Sequence, residues 1–236
     1  MQGKDLTGLH IEGHIKIYDP NNGHVFINKR NAIHYENMSV ALAESLANAG
    51  QGFINKLVFG NGGTTVNDVG IVTYLTPNST GTNASLYNET YQKVVDDRSV
   101  VNVDPIRNKI ETRHVTGMNY TDVFVTCLLD YGEPSDQQAF DNTTNNNDAY
   151  IFDELGIKSY NPNGDGKLLT HVIFHPVQKS LNRLIQIDYT VRIQSLTGLN
   201  EFINEVPAAA SAVSGGSSGG SSGGSSGGSS GGGSTY

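Results

Sequence analysis

The chain has no tryptophan and a single cysteine, Cys127. One thiol cannot close an intrachain disulfide and cannot supply a cysteine-rich zinc site. Its place in the apolar run DVFVTCLLD (Asp122–Asp130) marks it as a small core hydrophobe and not a nucleophile. Charge is also scarce: Asp, Glu, Lys and Arg make up 16% of the residues, so the surface must be largely Asn, Thr, Ser and Gly. Such a surface suits a part buried in an assembly better than a lone monomer. The net charge is −8 and no basic run is present, which argues against a direct nucleic-acid or anionic-membrane partner. No apolar stretch approaches the ~18 residues of a membrane span, and the polar opening MQGKDLTG does not read as a signal peptide.

Catalytic motifs are missing as well. There is neither a GxSxG elbow nor an HExxH pair. The segment FGNGGTT (Phe59–Thr65) has the glycines of a phosphate loop but lacks its lysine, and no long helix follows it. The expectation is a structural turn made by Gly60, Asn61, Gly62, Gly63 and Thr64, with positive φ at the glycines and tolerated at Asn61. NPNGDG (Asn161–Gly166) alternates oxygen side chains as calcium loops do, but Lys167 and two leucines stand where a terminal glutamate is needed, so it reads as a turn. Seven histidines are scattered, and the His10/His14 and His171/His175 pairs fall in strand-like sequence. Strand parity puts His171 and His175 on one side, too far apart along a strand to share a metal directly. A glycan hydrolase on a β scaffold would need two carboxylates about 5–10 Å apart in a cleft. The adjacent pairs Asp96–Asp97 and Asp153–Glu154 face opposite ways in a strand. No catalytic residue, cofactor or metal ligand is therefore assigned, and the chain is expected not to be an enzyme.

What is present is β patterning. LHIEGHIKIY (Leu9–Tyr18) alternates, DPNNG turns, and His24–Ile27 returns, giving a first hairpin. Asn31–Asn48 changes to a helical period through Ile33, Met38, Leu42 and Leu46, and Gly50 and Gly52 stop it. Further strands are expected at Ile54–Phe59, Val69–Leu75, Thr90–Val95, Arg98–Val103, Lys109–Thr116, Asp122–Leu129 and Tyr150–Tyr160, with a single helical turn at Asn67-Asp68. Leu168–Phe174 and Leu184–Ile193 close the pattern as an expected hairpin. The fold class is mainly β: antiparallel sheets, sandwich- or barrel-like, with one main α-helix packed against them. Three regions follow: an N-terminal hairpin or arm at 1–30, a β-rich core at 31–206 carrying the helix at 31–49, and a flexible Gly/Ser-rich tail at 207–236. Asp130–Asn147 is expected to be a surface loop or an arm ordered on contact, and Leu196–Val206 one or two helical turns.

Three segments together carry a resemblance: INKLVFGNGGT, then IFDELGI (Ile151–Ile157), then VIFHPVQKS and LIQIDYTVRI between Val172 and Ile193. They resemble the structural proteins of tailed bacteriophages, the group of neck, collar, baseplate and fibre-attachment components. The resemblance places Gly60, Gly62 and Thr64 in the glycine turn and Glu154, Leu155, Gly156 and Ile157 in a second motif. Glu89 and Arg98 are the candidates for the acidic and arginine positions after the turn, at looser spacing. It implies a virion structural protein, assembled in the host cytoplasm, whose partners are copies of itself and other virion proteins. The alternatives are a capsid decoration protein and a carbohydrate-binding adhesin module at a tail fibre. The adhesin would hold a host surface glycan on an aromatic patch from Tyr87, Tyr91 or Tyr120.

Overall fold

In the computed structural model the structure describes residues 8–134 and 149–196. The expected arm at Asp130–Asn147 lies mostly outside them, and the Gly/Ser-rich tail and nearly all of Leu196–Val206 lie outside them.

The elements in chain order are β1 (Leu9–Tyr18), β2 (Val25–Ile33), α1 (Tyr35–Leu46), β3 (Ile54–Gly60), β4 (Thr64–Val66), β5 (Val72–Tyr74), β6 (Glu89–Val94), β7 (Lys109–His114), β8 (Tyr120–Leu129), β9 (Ala149–Ser159), β10 (Leu168–Ser180) and β11 (Ile185–Ser195). Nine strands form one antiparallel sheet in the order β6-β3-β9-β10-β2-β1-β11-β8-β7, and β4 and β5 pair separately. The fold is thus mainly β, with one helix packed on the sheet, as the patterning implies.

The sheet is curled into a half-barrel. Six strands separate β6 from β8, yet the Lys93 side chain of β6 reaches the Leu128 carbonyl of β8 at 2.7 Å. The concave face holds the core: Ile11, Ile15 and Ile17 of β1, Leu57 and Phe59 of β3, Val125, Cys127 and Leu129 of β8, and Ile185, Ile187 and Tyr189 of β11. Each set occupies alternate positions, the period-2 signal that makes these segments strands. Cys127 is fully buried, and burial pushes its thiol up to about 12. Helix α1 lies against the sheet, its Met38 and Ala41 buried, and it shares an apolar cavity of about 200 Å³ with Phe53, Ile110, Leu169 and Val191.

Five expectations are corrected. The helix starts at Tyr35 and ends at Leu46, not 31–49, because Asn31 pairs with Gly13 and Ile33 with Thr170 as strand residues. Leu46, read as part of the apolar stripe, is exposed. Arg98–Val103 is a turn-rich loop and not a strand; Asn102 Nδ2 donates to the Asp96 and Asn108 carbonyls and so fixes the segment by side-chain bonds. Asn67-Asp68 makes a hairpin turn and not a helical one: the Asn67 side chain accepts from the Val69 and Ile71 amides, with Gly70 at φ +82°. Finally, β10 and β11 do not pair. The β1–β2 hairpin lies between them at the middle of the sheet, β2 on β10 and β1 on β11. Alternation identifies a strand but carries nothing about its neighbour, so chain adjacency misled here.

Two irregularities position the site. β2 and β10 pair only at Ile33–Thr170 and Ala32–His171 before parting. Against β9, the register of β10 shifts between Ile173 and Val177, so Phe174, His175 and Pro176 bulge out opposite Asp153.

Candidate functional site

The glycine turn and the IFDELGI strand, far apart in sequence, meet in space. β3 runs antiparallel to β9 with Gly60 opposite Glu154, which delivers residues 61–64 onto the β9 carboxylates beside the β10 bulge. Asp153 accepts from the Gly63 amide at 2.9 Å, from the Thr64 amide at 2.9 Å and from the Thr64 hydroxyl. Glu154, with no exposed surface, accepts from Gly62 N at 3.1 Å, Tyr87 N at 2.9 Å, Asn88 N at 2.8 Å and His171 Nε2 at 3.0 Å. Strand neighbours were expected to face opposite ways. Both carboxylates nonetheless bind the turn, because it wraps across the strand where β10 bulges away.

The electrostatics differ between the two acids. Burial alone would push the Glu154 carboxyl up, but the bonds from His171 and from the Asn88, Tyr87 and Gly62 amides outweigh it and hold the group below the ordinary glutamate range. For Asp153 burial wins: its carboxyl is raised despite the Thr64 and Gly63 bonds, with the Glu154 charge adding to the rise.

His171 is fixed from both sides. Its Nδ1 accepts the Asn78 amide at 2.8 Å, so the ring proton sits on Nε2 and is donated to Glu154. In a hydrolytic Glu–His pair Nδ1 would face a nucleophile; here it faces a backbone N–H. The parity argument that put His171 and His175 on one side fails. His171 is buried, whereas His175, carried by the bulge, is exposed and contacts the Tyr74 hydroxyl at 3.4 Å.

The turn glycines are not in the left-handed region; the positive-φ residues lie elsewhere. They are needed for closeness. A Cβ on Gly60 would stand 2.4 Å from Glu154 Oε1 and 2.5 Å from the Asn88 carbonyl oxygen, and one on Gly63 2.9 Å from Ile173 Cγ2. Asn61 joins the same loop: its side-chain oxygen accepts from Asn88 Nδ2 at 2.5 Å. In the second motif, Leu155 and Ile157 fill the core, and Gly156 lets the Thr170 carbonyl approach. The arrangement is a clasp in which two carboxylates gather the β3–β4 turn and the end of the β5–β6 loop against strand β10.

The other sequence candidates are placed separately. In NPNGDG, Asp165 is bound by Lys56 and Lys158, and Asn161 accepts from Asn163 N within the turn. Glu89 pairs with Lys158, whereas Arg98 pairs with Asp96 and stacks over Phe53, so the two do not converge. Tyr91 packs against the core beside Phe59 and Tyr150, which removes it from an exposed aromatic patch. Tyr87 donates to the Thr76 carbonyl, and Tyr120 lies under the Arg192 guanidinium. Asn78 and Asn88 are site residues that the sequence did not disclose, since they act through backbone N–H groups that no side-chain motif encodes, and His171, weighed in sequence only beside His175, serves as a donor to Glu154. No family model, curated protein or solved structure matches the chain.

Proposed function

We propose that the chain is a structural subunit of a tailed-phage virion that joins copies of itself and other virion proteins through non-covalent interfaces. The observation that carries this reading is the clasp. The two motifs of the resemblance are built into one another, and their acids are spent on holding loops in place. The half-barrel is then an incomplete barrel serving as a rigid block. Its binding elements are the exposed apolar segments it displays: Val100, Val101, Val103 and Ile106 on the β6–β7 loop, and Val66, Val69 and Ile71 on the β4–β5 hairpin. Uncovered aliphatic groups of this kind mark interaction surfaces.

The test is immunogold labelling of purified mature virions with an antibody raised against the chain. Label confined to the neck or tail is the expected result. Label spread over the whole head would make it a decoration protein. Unlabelled particles, with the antigen present in the infected lysate, would overturn the reading.

A further inference from the structure

β6 contains one anomaly. Tyr91, Lys93 and Val95 share a parity, and Tyr91 and Val95 pack with the core, so Lys93 is a lysine at a core-facing position. It is 8% exposed. Burying an ammonium needs a strong reason, because desolvating the charge is costly. The amine crosses the open side of the half-barrel to the edge of β8, where it donates to the Leu128 carbonyl at 2.7 Å and contacts the Glu133 carboxylate.

Asn108, 1% exposed and just before β7, arrives at the same residue from the other side. Its side-chain oxygen accepts the Leu128 amide at 2.9 Å. The N–H and C=O of one strand residue project from the same edge. The Lys93 amine and the Asn108 amide therefore stand side by side, taking the places of the N–H and C=O that a paired strand would offer Leu128. Glu133 is aimed by the Asp130 amide at 2.9 Å. Lys93, Glu133 and Asp104, whose carbonyl holds Asn108 Nδ2, reach one cleft of about 470 Å³ between the β6–β7 loop and the end of β8.

We propose that Lys93 and Asn108 form an intramolecular isopeptide bond, with Glu133 as the proton carrier. Glu133 takes a proton from the Lys93 ammonium, which frees the nitrogen lone pair. Nζ then adds to Cγ of Asn108, forming the C–N bond. The tetrahedral adduct collapses by breaking the bond from Cγ to Nδ2 as Glu133 hands its proton to that nitrogen. Glu133 then takes the second proton from Nζ and passes it on, so the nitrogen leaves through the cleft as ammonium and Glu133 is again a carboxylate. One primary amide and the lysine ammonium become one secondary amide and a free ammonium ion; nothing is oxidised or reduced and no co-reactant is consumed. Fixed side by side and shielded from bulk water, the two groups react as an intramolecular pair, where positioning replaces collision. The bond ties β6 to the start of β7, which are the two edges of the sheet, and closes covalently what the hydrogen bonds leave open.

The experiment is mass spectrometry of the purified full chain. The expected intact mass is lower than the sequence mass by one ammonia. Trypsin should yield a branched product joining Leu57–Arg98, uncleaved after Lys93, to Asn108–Lys109. Lys93→Arg and Glu133→Gln should each run at full mass. Wild-type protein at full mass, with Leu57–Lys93 and Asn108–Lys109 released separately, would overturn the proposal whether or not the variants fold. So would a deficit traced to a succinimide at Asn22-Gly23, Asn61-Gly62 or Asn163-Gly164, or a loss of water that links Lys93 to Glu133 instead.

Discussion

Glu154 is the residue on which most of the clasp depends. Its charge has no exposure, and four donors point at it. Glu154→Gln turns an acceptor oxygen into an NH₂ that faces backbone N–H groups, and it should cost about 2–4 kcal/mol by urea denaturation at neutral pH. The same carboxylate gives stability a pH dependence. Its folded pKa lies below the unfolded value, so the stability it confers is complete above the ordinary glutamate range and is lost as pH falls through the folded pKa. Asp153, raised by burial, works in the opposite sense and offsets part of that loss. Denaturation midpoints followed from neutral into acid should therefore fall less steeply in Glu154→Gln than in wild type; an unchanged acid slope would remove Glu154 as its source. The glycines admit a sharper comparison. Gly60→Ala drives a methyl into Glu154 and the Asn88 carbonyl, for about 1–3 kcal/mol. Gly70→Ala meets no neighbour, only the left-handed φ of +82°, for about 1 kcal/mol. If Gly70→Ala proves the costlier in thermal melts, conformation and not close approach governs these positions.

At the scale of elements, α1 shows where sequence reasoning stops. Its existence was legible from Met38, Ala41 and Leu42, but its start was not. The stop signal for β2 and the start signal for α1 overlap at Ala32–His34, and the strand wins because Ile33 and Ala32 find Thr170 and His171 across the sheet. His34 then caps the helix with an unusual acceptor. Its buried Nδ1 takes the Asn37 amide at 3.2 Å while Nε2 donates to the Gly81 carbonyl at 2.9 Å. His34→Ala should cost about 1–3 kcal/mol, since it removes a cap and orphans a carbonyl. It should also raise the proteolytic sensitivity of the loop around Gly81, whereas a cap-only role would leave the loop untouched. The clasp was half legible in the same way. Glycines and carboxylates stood out as two motifs, but the bulge that brings them together depends on how Pro176 and its neighbours escape the ladder between β9 and β10, and pairing is not written in either strand alone.

Over the whole molecule, pairing and burial are distributed unevenly, and this sets an order of local opening. β1 is paired with β11 from Leu9 to Tyr18, β11 with β8 from Ile185 to Gln194, and Ile15, Ile17, Ile187 and Tyr189 between them have no exposed surface. The amides of β1 and β11 can exchange only when the sheet comes apart, so their opening free energies should equal that of global unfolding. β4 and β5 have only each other, and Val66, Val69 and Ile71 stand in solvent. Their attachment to the sheet runs through Thr64 on Asp153 and the exposed contact of Tyr74 with His175, so this hairpin should exchange orders of magnitude faster. β2 is mixed. Its inner edge is covered by β1, but below Ala32 its outer edge has lost β10, and the Lys29 side chain bridges to the Ile173 carbonyl at 2.8 Å. Native-state hydrogen exchange should resolve alternate protection along Val25–Arg30, slow on the side of β1 and fast on the other. Uniform slow exchange along this stretch would mean that β2 and β10 zip together in solution. Fast exchange of β1 itself would break the link between the central hairpin and the stability of the fold, which follows from its place between β10 and β11.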